Sequence, residues 1–228
     1  MNDLAQNLIE ELQCETVFTI PVLGGIPVSE AVVVTWIIMA VLVVIAFILT
    51  RNLKVDHISK RQAVAESIVT GLLNMVQGMV GEKGKAYVRY LTTVMLYIGV
   101  SNIIGLFGFK SPTKDLRVTV ALALMSIILI EAAGIYHKGV KRWLHGFVEP
   151  VAIVTPINIL EVVTKPLSLC MRLFGNVLGA FVIMELLKMI LPVGLPVVFS
   201  LYFDIFDGLL QAYVFVFLTS LYIDEITE

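Results

Sequence analysis

Charged residues are scarce in this chain. Asp, Glu, Lys and Arg make up 15% of the 228 residues, where a soluble domain carries about 25%. Apolar residues make up 58%. That balance excludes a soluble globular domain and indicates a polytopic membrane protein whose solvent is the lipid bilayer. Cysteine is scarce too. Cys14 and Cys170 are too few for a disulfide framework, and Cys170, in an apolar stretch, reads as a small buried thiol. There is no zinc-ligand spacing, no phosphate-cradling glycine loop, no GxGxxG and no haem motif. Hence no metal, no cofactor and no nucleotide chemistry are expected. The net charge of −2 gives no basic surface for nucleic acid. The opening MNDLAQNLIEELQCE lacks a basic n-region, so no cleavable signal peptide is expected.

Long uncharged runs stand in place of charge. Residues 31–50, AVVVTWIIMAVLVVIAFILT, carry none and are long enough to cross a hydrocarbon core about 30 Å thick. A basic loop, RNLKVDHISKRQ, follows. Residues 62–82 place Ile68, Leu72, Met75, Val76 and Met79 at helical spacing. They are too polar to span comfortably. The expectation is a helix lying at the membrane interface, with a helix packed against the others as the alternative. Residues 86–109 and 116–137 are the second and third spans, joined by the turn KSPTKD. KGVKRWLHGFVEP is a basic connector carrying Trp143 at the interface. Residues 150–190 and 194–223 are long apolar stretches separated by the turn LPVGLP.

Forty helical residues would measure about 60 Å, twice the bilayer core. The stretch 150–190 therefore predicts an entry broken by Pro150, Pro156 and Pro166, then an oblique helix from about Pro166 to Ile190. Residues 194–223 would be its antiparallel partner. No internal repeat is visible. The fold class that follows is all-α: a single membrane domain over 1–228, with five transmembrane helices and one interfacial amphipathic helix. The last two helices form a long tilted hairpin.

Lysine and arginine set the orientation. Residues 1–30 contain none, against five acids, whereas 51–89 contain seven, 138–142 three and the 110–115 turn two. The segment 1–30 is thus expected outside, the 51–89 and 138–149 segments in the cytoplasm, and the C-terminus inside.

Within 116–223 the ionisable residues expected inside the membrane are Glu131, Glu161, Lys165, Arg172, Glu185, Lys188, Asp204 and Asp207. Such groups are costly in lipid and mark ion paths, substrate sites or packing pairs. Glu161 with Lys165, and Glu185 with Lys188, have the spacing of helical ion pairs, so both a structural and a functional reading stay open. Glu131 is close enough to a helix end to snorkel. Arg172 differs, because no carboxylate lies three or four residues away. Its face of the helix holds Ser168, Gly175, Asn176 and Gly179. Small residues let another helix approach closely. The pattern presents an arginine to something that packs tightly against it, with a counter-ion from another chain. A desolvated arginine favours the ionised form of an incoming carboxylate. Counting outward from Gly194, Glu185 and Asp204 fall at similar depth, and Asp204, Asp207 and Gln211 share a helix face. These form a row of acids leading toward Arg172, with Glu161 on its other side.

KPLSLCMRLFGN followed by LLQAYVFVFLTSLYI resembles the subunit a family of F-type ATP synthases. VSNIIGL (100–106), PTKDL (112–116) and ALAL (121–124) occur in that family's order, so the resemblance covers nearly the whole chain. It implies a membrane stator subunit, not an enzyme on its own, that moves protons through two offset half-channels. The implied partners are a ring of c subunits, each bearing a carboxylate, the b-subunit peripheral stalk and the rest of the synthase. The implied location is the bacterial inner (plasma) membrane. By the resemblance, Arg172 drives the ring carboxylate to its ionised form and separates the two channels, and Asn176 and Gln211 are polar neighbours of that arginine. Glu185, Asp204, Asp207 and Glu161 complete the expected ion path, and Ser168, Gly175 and Gly179 pack against the ring.

The chain departs from a common bacterial pattern: Phe181 stands where many relatives have Glu, and Asp204 where they have His. Glu185, one helical turn beyond Phe181, is the candidate replacement. Arg117 stands where many relatives have Asn. The alternatives are a sodium-translocating version of the same subunit and a secondary ion transporter. The latter often shows repeats, which are absent here. A purely structural scaffold would not need an unpaired arginine beside glycines.

Overall fold

The computed structural model describes residues 16–20, 26–51, 53, 59–107, 109, 111–147, 155–190 and 194–227. The segment 1–15, most of the basic loop at 52–58, Lys110, Pro150 and the first half of the LPVGLP turn lie outside the described residues.

Two short strands come first, β1 (Thr16–Ile20) and β2 (Ile26–Ser29), paired antiparallel. Helix α1 (Glu30–Thr50) follows directly. Helix α2 (Lys60–Met79) starts at Ser59, whose hydroxyl accepts the backbone N–H of Gln62, a standard N-cap. A 3₁₀ turn (Glu82–Tyr87) leads into α3 (Val88–Ile103), which ends in a second 3₁₀ turn (Ile104–Phe107). A third (Pro112–Lys114) precedes α4 (Leu116–Lys138). Gly139, at φ 78°, turns the chain sharply into α5 (Val140–Gly146). This positive φ suits glycine, which has no Cβ to clash. Helix α6 (Thr155–Ile190) is the longest. Helix α7 (Leu195–Ser200) passes through a π-helical segment (Leu201–Asp207) into α8 (Gly208–Thr227).

The protein is an all-α polytopic membrane protein apart from the β1–β2 pair. Among the described residues, five helical segments are long and apolar enough to cross a bilayer: 30–50, 84–107, 116–138, 155–187 and 198–227. Their outward side chains are mostly apolar: α1 exposes Trp36, Ile37, Val43, Phe47 and Ile48, as a helix facing hydrocarbon must. A helix bonds most of its backbone polar groups within itself, the condition for crossing lipid.

Three features depart from the sequence expectation. First, α6 starts at Thr155 and runs unbroken through Pro166. Proline removes one N–H donor and crowds the preceding turn, but membrane helices tolerate it where neighbouring groups compensate. Pro156 sits in the first turn, where no intrahelical donor is needed. Second, the last apolar stretch is not a uniform α-helix. Within the π segment the N–H of Gly208 reaches the carbonyl of Phe203, the wider i→i+5 closure. Third, the basic connector contains the short helix α5.

The chain divides into two compact units: residues 1–41, 97–119 and 171–211 form the first, and 42–96, 120–170 and 212–228 the second. The first is organised by a buried polar network. Asn102 donates to the carbonyl of Gly208 at 2.9 Å and accepts from the Thr113 hydroxyl at 2.8 Å. Ser111 donates to the carbonyl of Ser101 at 2.7 Å, and Ser29 donates to the Asp115 carboxylate at 2.8 Å. The network ties the 111–115 turn to α3, α8 and β2. A Cβ on Gly208 would lie 2.7 Å from that of Asn102, so glycine permits the close approach of α8 to α3. The second unit has an apolar core that includes Val76, Leu91, Ile130, Leu169, Phe215 and Ile223. There the Asp224 carboxylate accepts the N–H of Gly81, and Ser220 donates to the carbonyl of Met79.

Asn102→Ala removes its bonds to the Gly208 carbonyl and the Thr113 hydroxyl, which keeps its contact with Ser111 at 2.7 Å, at about 1 kcal/mol per bond lost. The thermal unfolding midpoint of the detergent-solubilised protein should fall clearly. An unchanged midpoint would show that the network does not hold the first unit together.

Candidate functional site

Arg172 lies on α6, and the local sequence determines where it points. Leu169 and Leu173 are fully buried and Cys170 nearly so, which pins that side of the helix inward. Ser168, Arg172 and Gly175 are consequently exposed, and Gly179 is partly so. A methyl group added at Gly175 or Gly179 would meet nothing within 4 Å. The stripe is low and open. Among the described residues, Arg172 has no ion-pair or hydrogen-bond partner.

One turn along, Asn176 donates to the Gln211 side-chain carbonyl at 2.7 Å. Gln211 is only 2% exposed, and its Nε2 has no hydrogen-bond partner among the described residues. This bond joins α6 to α8 within the first unit. It borders a cavity of about 410 Å³ lined by Asn176, Phe181 and Glu185 from α6, and by Asp204, Asp207 and Gln211 from the opposing segment. Asn102, Gly105 and Lys114 close another side. The π segment carries Asp204 and Asp207, so its extra width changes their spacing relative to a regular helix, yet both face the cavity with Gln211. Asp204 accepts from the Ser200 hydroxyl at 2.7 Å. Near Gly105 its carboxylate is close enough that an added Cβ would sit 3.3 Å from its Oδ1. The Lys114 ammonium stands 4.0 Å from the centre of the Phe181 ring. The side chain of Lys188, the proposed partner of Glu185, lies outside the described residues.

The second unit has its own cavity of about 210 Å³, lined by Glu131, Lys138, Arg142, Trp143, Asn158, Glu161, Lys165 and Glu225, among others. Lys165 is 3.6 Å from Glu161 and 3.1 Å from Glu225. The i,i+4 pair is present, and it is shared with a third residue. The Trp143 indole N–H donates to Glu131 at 2.9 Å, so Glu131 is held by a neighbouring side chain. Asn158 donates to the carbonyl of Phe147 at 3.0 Å. Among the described residues no group of three or more His, Cys, Asp or Glu is disposed to hold a metal ion.

Sequence reasoning missed Lys114, Asn102 and Glu225. Lys114 entered only as an orientation charge. Asn102 sat inside a family-like string with no role assigned. Glu225 lay past the expected helix end at 223, although α8 extends to Thr227.

Fold and site together define a polytopic membrane protein with acids in two cavities and an outward-facing arginine that has no partner among the described residues. The model of the ATP synthase A chain family matches residues 32–224. The sodium-ion-specific ATP synthase subunit a of Propionigenium modestum is 34% identical over 87% of this chain and 74% of its own length. Subunit a of Moorella thermoacetica is 34% identical over 88% of this chain and 92% of its own length. Subunit a 1 of Crocosphaera subtropica is 30% identical over 86% and 85%. The chain belongs to the subunit a family of the F-type ATP synthase. It is therefore a membrane component of that complex.

Lys165→Met leaves Glu161 and Glu225 facing each other without the cation between them. The glutamates are half exposed, so the loss of stability should be about 1 kcal/mol and should shrink at high salt. Thermal unfolding at low and high salt checks this. No loss at low salt would remove the triad from the forces holding the second cavity.

Proposed function

We propose that this chain is the proton-translocating stator subunit of the synthase. The observation that carries the reading is Arg172: exposed, without a partner among the described residues, on a stripe open at Gly175 and Gly179. A charge at the centre of a bilayer helix costs about 2.5–3.5 kcal/mol on the insertion scale. A carboxylate on an adjoining ring of c subunits offsets that cost as it arrives. The arginine favours its ionised form, so the proton leaves, and the fixed positive charge blocks direct passage between the two access paths. Ser168, Gly175 and Gly179 give the ring helices clearance.

The cavity with Glu185, Asp204 and Asp207 is the outer access path, which Asn176 and Gln211 connect to Arg172. The cavity with Glu161 is the inner one. The absence of lysine and arginine from residues 1–30 and their density at 51–89 support an N-terminus outside the bacterial inner membrane and a cytoplasmic C-terminus. Helix α2 lies at the membrane surface, with Val64, Ile68 and Val69 exposed for lipid contact. The b-subunit peripheral stalk holds the subunit against the turning ring. The subunit carries no catalysis of its own.

A sodium-driven version is the second reading, supported by the sodium-ion-specific relative at 34% identity. Omitting sodium separates the two readings: proton-driven synthesis continues without it, and sodium-driven synthesis stops.

Arg172→Ala should leave an assembled complex that makes no ATP from an imposed proton gradient. Synthesis at a rate near wild type in reconstituted vesicles would refute the role of the arginine.

A further inference from the structure

Glu131 has no role in the ion path described so far, yet its carboxylate is closely placed. It sits on α4, two turns before that helix ends at Lys138. A glutamate that only snorkels is free to follow the water. This one accepts the indole N–H of Trp143 at 2.9 Å. The indole is itself fixed. A Cβ on Gly134 would lie 3.2 Å from Trp143 Cδ1 and 2.8 Å from Ile226 Cγ1, so a glycine there lets the ring and α8 close onto α4. Phe147 packs edge-to-face on the ring, with centroids 5.0 Å apart. Glu131 and Trp143 both line the second cavity, whose volume of about 210 Å³ has room for several waters. Two other carboxylates of that cavity, Glu161 and Glu225, share Lys165. Protonating either of them weakens a charge pair. Glu131 makes no ion pair among the described residues, and Lys138 and Arg142 line the cavity without pairing with it.

We propose that Glu131 is a proton-carrying residue of this cavity and that Trp143 is its positioning residue. The proposal rests on the reading of the cavity as the inner access path. The indole bonds Oε2, and Oε1 remains for the proton. A proton delivered by a water in the cavity forms an O–H bond at Oε1. That bond breaks as the proton passes to the next water, and the carboxylate is restored with no net change. The indole N–H only donates, so it keeps its own proton throughout. Its part is to hold the carboxylate at the cavity. Chains of such acids are how membrane proteins pass protons.

The test uses the whole synthase in proteoliposomes in sodium-free buffer, with ATP synthesis driven by an imposed proton gradient and assembly checked by the subunit content of the purified complex. Glu131→Gln keeps the shape and still accepts the indole N–H, but it cannot carry a proton. Glu131→Asp keeps the carboxylate and shortens its reach to the indole. A structural role therefore favours Gln over Asp, and a proton-carrying role favours Asp over Gln. Glu131→Gln should slow synthesis several-fold, and Glu131→Asp should be clearly faster than Glu131→Gln. Trp143→Phe keeps a ring beside Gly134 but loses the donor. It should slow synthesis in the wild-type background and add nothing in the Glu131→Gln background. Wild-type synthesis in Glu131→Gln would overturn the proposal, and so would Glu131→Asp no faster than Glu131→Gln. Equal slowing by Trp143→Phe in both backgrounds would overturn the positioning role. If the Glu131 variants do not assemble, Trp143→Phe decides: slowed synthesis in an assembled complex supports the proposal, and a wild-type rate overturns it. Glu161→Gln separates the proposal from the reading beneath it. If Glu161→Gln slows synthesis and Glu131→Gln does not, the inner path stands and the proposal alone falls. If neither does, the cavity is not a proton path and both fall. A wild type inactive without sodium would refute the proton reading, and the proposal with it.

Discussion

A guanidinium on the outward face of an apolar helix has to meet an opposite charge, because lipid offers it neither hydration nor a counter-ion. Arg172 meets none among the described residues. The arrangement around it follows from that constraint. Leu169 and Leu173 fix the helix so that the arginine cannot turn inward. The Asn176–Gln211 bond holds α8 beside α6 one turn further on. Serine and glycines replace bulky side chains along the stripe, so that a counter-charge on another helix can come within reach. A carboxylate that arrives, loses its proton and moves on would satisfy the arginine repeatedly, and the mechanical action of a rotary synthase needs such a step.

The two cavities handle their charges differently. In the second, Lys165 lies between Glu161 and Glu225, and Trp143 binds Glu131. In the first, the lysine rests on an aromatic ring, and Asp204 is held by a serine hydroxyl. The buried amide of Gln211, with a donor left over among the described residues, also lines that cavity.

Much of this was legible in the sequence because membrane composition is restrictive. Long uncharged runs have one common use, so the five spans followed from hydropathy alone. An arginine among small residues stood out because almost every alternative residue would be cheaper there. The i,i+4 spacing of Glu161 and Lys165 offered a pairing as one of two open readings, and the pair is present. Features that depend on tertiary support were not legible. Pro166 argues locally for a break, but α6 continues through it. Nothing in LYFDIFD signals a π segment, because the widening reflects how the backbone is accommodated rather than side-chain periodicity. The strands of β1 and β2 are too short to stand out beside the apolar helices. Lys114 and Phe181 are 67 positions apart in sequence, and only the anchored turn brings them together. Phe181 looked like a missing acid, but in the fold it is the seat of a cation.

On the proposed function, the counter-charge of Arg172 is carried on the ring. Disulfide cross-linking tests it most directly. A cysteine replaces Gly175, where an added side chain has open space, and a second is placed beside the carboxylate on the ring helix. Mild oxidation of the assembled synthase should join the two chains and stop rotation-coupled ATP hydrolysis, and reduction should restore it. An assembled complex that yields no cross-link under the same oxidation would show that this face of α6 does not meet the ring.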